Sequence, residues 1–337
     1  VPVFIEPKQA ASGIRKVGHD GLTETLMFSL IIPTYNRAPI LKRMLAHLFT
    51  LEGIAECEVI VINDGSTDGT AAVLEEYRLR FPDVLRTTKI MNGGPARARN
   101  HGIRIAQKDR ILFIDDDVFP REGMLQSHKR MLDDGYTGSQ GLLLWHPEIR
   151  ITPLIRYLDS RGTQFAFDQV KDPARLSFAH VYTANFAVSK KALVDIRGFD
   201  EQFFDRAAAF GAFEDTILGY ALQQYGAQLG LNRDAVADHL HDMTEEAVFR
   251  KEQKVGFFIG RLKARYPAIA HALGYGRRGG FLNEMQVPVL GVINHSGLLR
   301  DVFGYSFSMR LRHREAFCRG LLQFEREIAK TPGCASA

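Results

Sequence analysis

Ile111-Leu112-Phe113-Ile114 runs directly into Asp115-Asp116-Asp117. An apolar run with no polar side suits a strand covered on both faces, as in a parallel sheet. Three adjacent carboxylates at its end repel one another and resist burial. The chain has to open at this point, in one of two ways. Either an acidic turn caps the next segment, or the strand ends in a cleft where a divalent cation neutralises the charge. Mg²⁺ and Mn²⁺ are hard, oxygen-seeking ions, commonly held by one or two carboxylates together with substrate phosphates. The second reading is therefore a metal–diphosphate site at the end of a sheet strand.

The preceding residues repeat the same plan. Phe28–Thr34 reads as a first strand, and Pro39 opens a helix with Ile40, Leu41, Met44, Leu45 and Leu48 on one face. Cys57–Asn63 is a second buried strand. Asp64-Gly65-Ser66-Thr67-Asp68 then turns and caps a helix over 69–79. A weaker strand at 84–90, a helix at 95–107 and the strand at 110–114 follow. Strand–helix alternation with continuous apolar strands predicts an α/β fold built on a doubly wound, mainly parallel sheet flanked by helices. Ligands bind such sheets beyond the carboxyl ends of the strands. The polar clusters fall there: Thr34-Tyr35-Asn36, Asn63-Asp64, Asn92-Gly93-Gly94 and the aspartate triplet.

The second half is less regular. Helices are expected over 121–134, 213–225 and 245–266, and strands over 137–145, 179–188 and 234–241. Residues 1–27 read as an N-terminal extension, 274–280 as a glycine-rich loop, and 243–337 as a mostly helical C-terminal region.

Composition limits the function classes. The 337 residues, 45% hydrophobic and 24% charged, give one large domain or two smaller ones an ample core. A net charge of +4 with dispersed Lys and Arg does not call for nucleic acid, and it suits an anionic substrate. Cys57, Cys318 and Cys334 lack metal or disulfide spacing, which favours a reducing, cytoplasmic setting. No stretch approaches the roughly 18 apolar residues of a membrane span.

Three further groups of residues carry chemistry. In Gly93-Gly94-Pro95-Ala96-Arg97-Ala98-Arg99-Asn100, the glycines allow close backbone approach and Pro95 suits a first helical position. The free N–H groups of that helix end attract an anion. A plain helix start with a solvated basic face is the alternative. The stretch is neither a Walker loop nor a GxGxxG fingerprint.

Glu214-Asp215 opens an amphipathic helix, where acidic residues favour the dipole in any case. As a functional pair they would supply a general base, and Gly211 would permit the turn leading into it. A base at a helix amino end tends towards a low pKa, so this one needs burial or the neighbouring Glu214 to regain basicity. His239 and His241 stand at i, i+2 near a strand end and point the same way. They are either ligands for one metal or ordinary polar strand-end residues. Trp145 is either an acceptor platform or rim packing.

Together these segments resemble the family 2 glycosyltransferases, an inverting group with the GT-A fold. The resemblance rests on 31–37 (IIPTYNR), 59–68 (VIVINDGSTD), 94–100 (GPARARN), 112–117 (LFIDDD), 185–188 (NFAV), 198–201 (GFDE) and Glu214-Asp215, in that order, over residues 28–242. It implies a nucleotide-binding half at 28–118 and an acceptor and catalytic half at 119–242. Pro33, Thr34, Tyr35, Asn36 and Arg37 would frame the nucleotide, and Asp64 would hydrogen-bond the base. Gly94, Arg97 and Asn100 would approach the diphosphate. Asp115 and Asp117 would form the DxD pattern and belong to the metal site, with Asp117 the main ligand of Mn²⁺ or Mg²⁺, Asp115 nearer the ribose and the metal's waters, and Asp116 beside them. His239 or His241 would complete the metal site. Asp215 would be the catalytic base and Glu214 its neighbour. Where the family often has Asp, this chain has Asn63.

The implied activity is transfer of a sugar from a nucleoside-diphosphate sugar, a UDP-sugar first, to an acceptor hydroxyl. The acceptor class stays open between a saccharide, a lipid-linked molecule and a small molecule. A homo-oligomer stays open, as does peripheral contact with the inner face of a membrane through the Arg- and aromatic-rich 299–325. A sugar-nucleotide nucleotidyltransferase would share the cleft, but it would carry a Gly-rich loop where Pro33–Arg37 stands. A phosphatase-like hydrolase would need DxDGT, and Val118-Phe119 follows the triplet instead. A non-catalytic nucleotide-sugar-binding protein is the remaining alternative.

Overall fold

A computed structural model of the chain describes residues 28–160, 165, 167–205, 210–241, 243–275 and 305–329. The expected N-terminal extension, and most of the glycine-rich loop, lie outside the described residues.

The amino-terminal half follows the alternation read from the sequence. Its strands are β1 (Ser29–Thr34), β2 (Glu58–Asn63), β3 (Leu85–Lys89) and β4 (Arg110–Ile114). The helices between them are α1 (Ala38–Leu48), α2 (Thr70–Arg80) and α3 (Pro95–Ile105). The strands lie in the order β3-β2-β1-β4, all parallel, with Thr34 beside Asn63 and Ile31 beside Phe113. Every residue of β2 is buried, as a strand covered on both faces requires.

The second half departs from the expected pattern. Its elements are β5 (Val118–Pro120), α4 (Met124–Asp133), β6 (Gly138–Trp145), α5 (Pro153–Ser160), β7 (Asn185–Ser189) and α6 (Lys190–Asp195). The β8 (Phe204–Asp205) and β9 (Phe210–Gly211) pair follows, then α7 (Glu214–Tyr225) and β10 (Leu229–His239). The whole sheet runs β3-β2-β1-β4-β7-β6-β10-β5. Strand β7 is antiparallel to both neighbours, and β5 is antiparallel to β10.

The strand expected over 179–188 is confined to Asn185–Ser189, and a single 3₁₀ turn occupies Phe178–His180. The last strand begins earlier than expected, at Leu229. Its Asn232–Val236 stretch interrupts the register against β6, which hides the strand's periodicity. Three buried residues are too few for β5 to show a pattern at all.

Under the second half of the sheet lies a buried polar chain. Asn185 donates Nδ2 to the carbonyls of Leu142 and Ala235 at 3.0 and 2.9 Å, so its Oδ1 must accept from His128 Nε2, at 2.9 Å. His128 Nδ1 then accepts from Ser139 Oγ at 2.8 Å, and Asn232 closes the chain on Ser139 and Ser127. Burial holds the His128 imidazole down at a pKa of about 4.

Helix α8 (Glu245–Arg265), α9 (Pro267–Ala272) and α10 (Tyr305–Ala329) form the C-terminal layer. Phe257, Phe258, Ile259, Leu262 and Ile269 build a second core there with Phe178, Phe203 and Ile217. Glycines set the α8–α10 approach. A Cβ at Gly256 would lie 2.1 Å from the Phe317 carbonyl, one at Gly260 2.1 Å from the Phe324 ring, and one at Gly320 1.8 Å from the Gln253 carbonyl. The face of α8 carrying Gly256 thus packs on α10. Arg250 pairs with Glu246 on the exposed surface. Among the described residues, no helix is long and apolar enough to cross a membrane.

Candidate active site

The carboxyl ends of β1, β2 and β4 open into a cavity of about 520 Å³, whose far wall is the start of α7. Asp64 fixes one rim. Its Oδ1 accepts from the Gly93 amide at 2.9 Å, and its Oδ2 accepts from the Gly94 amide at 2.8 Å and Asn92 Nδ2 at 3.1 Å. Gly94 has φ +89°, and a Cβ there would lie 2.4 Å from the Phe204 ring, so only glycine fits. Asn36, at φ 53°, ties the two strand ends together: its Oδ1 accepts from the Thr67 amide at 2.8 Å, and its own amide donates to Ser66 Oγ at 2.9 Å.

The three aspartates have three different environments. Asp115 accepts from Arg99 Nη2 at 2.7 Å. Asp116 accepts from Thr34 Oγ1 at 2.6 Å and pairs with Arg37 Nε at 3.1 Å. Burial nevertheless pushes its pKa up to about 7. Asp117 pairs with Arg37 Nη2 at 2.5 Å, and each of its oxygens lies 3.4 Å from a histidine nitrogen, His239 Nε2 and His241 Nδ1. Burial opposes its ionisation, but the two imidazoles and Arg37 outweigh burial and hold its carboxyl well below the usual range.

The meeting of Asp117 with His239 follows from β5. Val118 pairs with His239, and the Leu240 amide donates to the Asp117 carbonyl at 2.9 Å. The two imidazole rings stack 5.4 Å apart with an interplanar angle of 1°, as i, i+2 strand positions allow. One ligand atom from each of Asp117, His239 and His241 lies within 4.8 Å of the others. A carboxylate and two imidazoles converging in this way could hold a divalent metal ion.

Across the cavity, Phe213 caps α7 with φ 68°, a left-handed conformation that is costly for an aromatic residue and sets the next two side chains. Asp215 is held by Thr183, whose amide and hydroxyl donate to its two oxygens. Burial raises the pKa of Asp215 against the pull of Arg99 and Thr183, and burial with the neighbouring Asp215 raises Glu214 to about 7.

Pro33, Thr34, Tyr35, Arg37, Asp64, Gly94, the three aspartates, Glu214, Asp215, His239 and His241 all border the cavity. Asn36, Arg97 and Asn100 do not. Asn100 instead locks the 198–201 turn, donating to the Phe199 carbonyl and Glu201 and accepting from the Phe199 amide. The cation that reaches the cavity from this helix is Arg99. It is buried, with Nη1 3.8 Å from Glu214 and its guanidinium over the Phe199 ring. Helical spacing does not single it out, since Arg99 stands five residues beyond Gly94, about 1.4 turns. Phe165 and Tyr182 from the second half of the chain, and Lys251 from α8, border the cavity as well and carry no motif. Trp145 stands behind His239, with its Nε1 on Asp159.

Residues 29–193 match the profile of glycosyl transferase family 2. The uncharacterized glycosyltransferase YfnE of Bacillus subtilis is 28% identical over 256 residues, which cover 63% of this chain and 64% of that protein. The validoxylamine A glucosyltransferase of Streptomyces hygroscopicus subsp. jinggangensis is 29% identical over 252 residues, 66% of this chain and 57% of that protein. The chain thus spans less than two thirds of the length of these relatives.

Among solved structures, the mannosyltransferase PcManGT from Pyrobaculum calidifontis, in complex with GDP-Man and Mn²⁺, superposes with a TM-score of 0.57 at 15% identity, covering 89% of this chain and 87% of that one. The Staphylococcus aureus TarS fragment 1–349, in complex with UDP-GlcNAc, gives 0.51 at 17% identity, covering 90% of this chain and 92% of that one. These likenesses establish the GT-A type of fold. Within this mixed, mostly parallel sheet, residues 29–193 are a glycosyl transferase family 2 domain.

Proposed function

We propose that the chain moves a sugar from a nucleoside-diphosphate sugar, a UDP-sugar first, to an acceptor hydroxyl with inversion at the anomeric carbon. The observation that carries this reading is one cavity with two acidic walls: the Asp115–Asp117 end of β4 faces the Glu214-Asp215 start of α7, and Arg99 spans them. The neighbours bound to GDP-Man and to UDP-GlcNAc support a sugar-nucleotide donor.

Each residue then has a defined task. Thr34, Tyr35 and the Asp64-anchored rim hold the nucleoside. A divalent ion bound by Asp117 and the histidines would neutralise charge on the departing diphosphate. Asp215 takes the acceptor proton as the acceptor oxygen attacks the anomeric carbon from the face opposite the diphosphate. The bond from that carbon to the phosphate oxygen breaks, and the nucleoside diphosphate leaves. Arg99 and Thr183 favour the ionised form of Asp215, while burial raises its basicity.

The test uses Asp215→Asn with UDP-, GDP- and dTDP-sugars and Mn²⁺. Transfer should vanish while calorimetric binding of the nucleotide stays within about threefold, since uniform binding survives loss of the base. Lost nucleotide binding with slow transfer retained would overturn the assignment. Pyrophosphate release from a nucleoside triphosphate and a sugar phosphate would point to a nucleotidyltransferase instead.

A further inference from the structure

Most cations at the cavity wall are committed to carboxylates. Arg37 holds Asp116 and Asp117, Arg99 holds Asp115, and His239 and His241 face Asp117. Lys251 differs. It borders the cavity from α8, in a wall that also includes Met243, Glu214 and His241, and the carboxylates of Glu252 and Glu214 act on its charge. The residue is exposed, yet desolvation by the protein around it lowers its pKa below the usual lysine range.

The helix that carries Lys251 is firmly held. Thr244 caps it, with Oγ1 accepting from the Ala247 amide at 3.2 Å, and Arg312 of α10 pairs with Glu245 in its first turn at 2.6 Å. The glycine contacts at 256, 260 and 320 press its far side onto α10. Lys251 lies nine residues from Gly260, about two and a half turns, and so on the opposite face. A lysine on the cavity wall that also carries His239, His241 and Glu214 supplies a positive charge to the space the donor would occupy.

We infer that Lys251 is a positioning residue that binds an oxyanion of the reactants. This deepens the proposed transfer and rests on it. The shared chemistry is a phosphate-like anion, and its source is either the terminal phosphate of the donor or an anionic group on the acceptor. The ammonium is a compact point charge on a flexible stem, suited to following a phosphate whose position changes as it leaves.

The experiment titrates wild type, Lys251→Gln and Lys251→Arg with UDP, with UMP and with uridine in MnCl₂. It then titrates inorganic phosphate into each protein saturated with UDP and Mn²⁺, read by thermal shift. A donor source predicts UDP binding about tenfold weaker in Lys251→Gln, with UMP and uridine unchanged and Lys251→Arg close to wild type, as loss of one charge-assisted contact implies. An acceptor source predicts unchanged UDP binding and loss of a phosphate-induced shift that wild type shows. If wild type binds UDP and Lys251→Gln matches it in both titrations, the inference is overturned. If neither protein binds UDP, the transferase reading falls and takes the inference with it.

Discussion

Thr183 donates to both carboxylate oxygens of Asp215, its amide to Oδ2 at 3.1 Å and its hydroxyl to Oδ1 at 2.6 Å. Such bonds favour the ionised form and oppose the burial that raises the pKa of this carboxyl. Thr183→Val removes the hydroxyl and lets the pKa rise further. The acid limb of kcat/KM against pH should move up by about one unit, the worth of one hydrogen bond to a charged group. The plateau above it should hold, and Thr183→Ser should restore the wild-type profile. An unshifted limb in Thr183→Val would contradict this account.

Asp117 stands at the convergence of Arg37, His239 and His241. Asp117→Asn should weaken Mn²⁺ binding by about 100-fold or more, at least as much as losing an outer-shell partner costs a metal site. Electron paramagnetic resonance of free Mn²⁺ measures this without any turnover. His239→Ala and His241→Ala, measured alongside, rank the two imidazoles.

His128 links the fold to pH. Its folded-state pKa of about 4 lies below the ordinary histidine value of about 6.5, because burial disfavours the charged ring. The unfolded chain therefore binds the proton first. The contribution is complete above about pH 6.5 and is lost as pH falls towards 4, by roughly 3 kcal/mol in all. Urea midpoints measured across that window should fall with pH, and His128→Asn should flatten the slope while lowering overall stability.

Gly94 combines a positive φ with a ring 2.4 Å from where its Cβ would stand, and its amide is bound to Asp64. Gly94→Ala should cost about 1–3 kcal/mol, the range for a strained left-handed residue. UDP affinity should fall with it, as the 92–94 rim loses its hold on Asp64. Urea denaturation and calorimetry give the two numbers separately, and wild-type values in both would disprove the role given to the rim.

How much of this was legible beforehand differs between the halves. From Phe28 to Asp117 each buried strand is a continuous apolar run ended by polar residues, so the order of elements and the cavity edge could be read directly. Beyond Asp117 the decisive features are short or long-range. Strand β5 has three residues, β7 enters the sheet antiparallel, and the β10 register shifts between Asn232 and Val236. None of these leaves a periodic trace.

The site residues divide in the same way. The aspartates, Glu214-Asp215 and the histidines carried motifs. Arg99 was passed over for Arg97 and Asn100, because the helix face that meets the cavity depends on how α3 seats on the sheet. Gly102 sets that seating, with a Cβ there lying 2.5 Å from Ile31. Lys251 belongs to a helix whose orientation is set by long-range contacts with α10 and the second core.

The antiparallel pairing of β5 with β10 places the Asp117–histidine cluster at the edge of the sheet, on a ladder three residues long. A ladder this short opens locally at far less cost than the buried centre of the sheet. Ion binding at Asp117 would therefore register first as slowed amide exchange at Leu240 and Val118, with β2 and β4 unaffected. In hydrogen-exchange terms the edge is the softest part of the sheet, and the cation would act there as a local clasp.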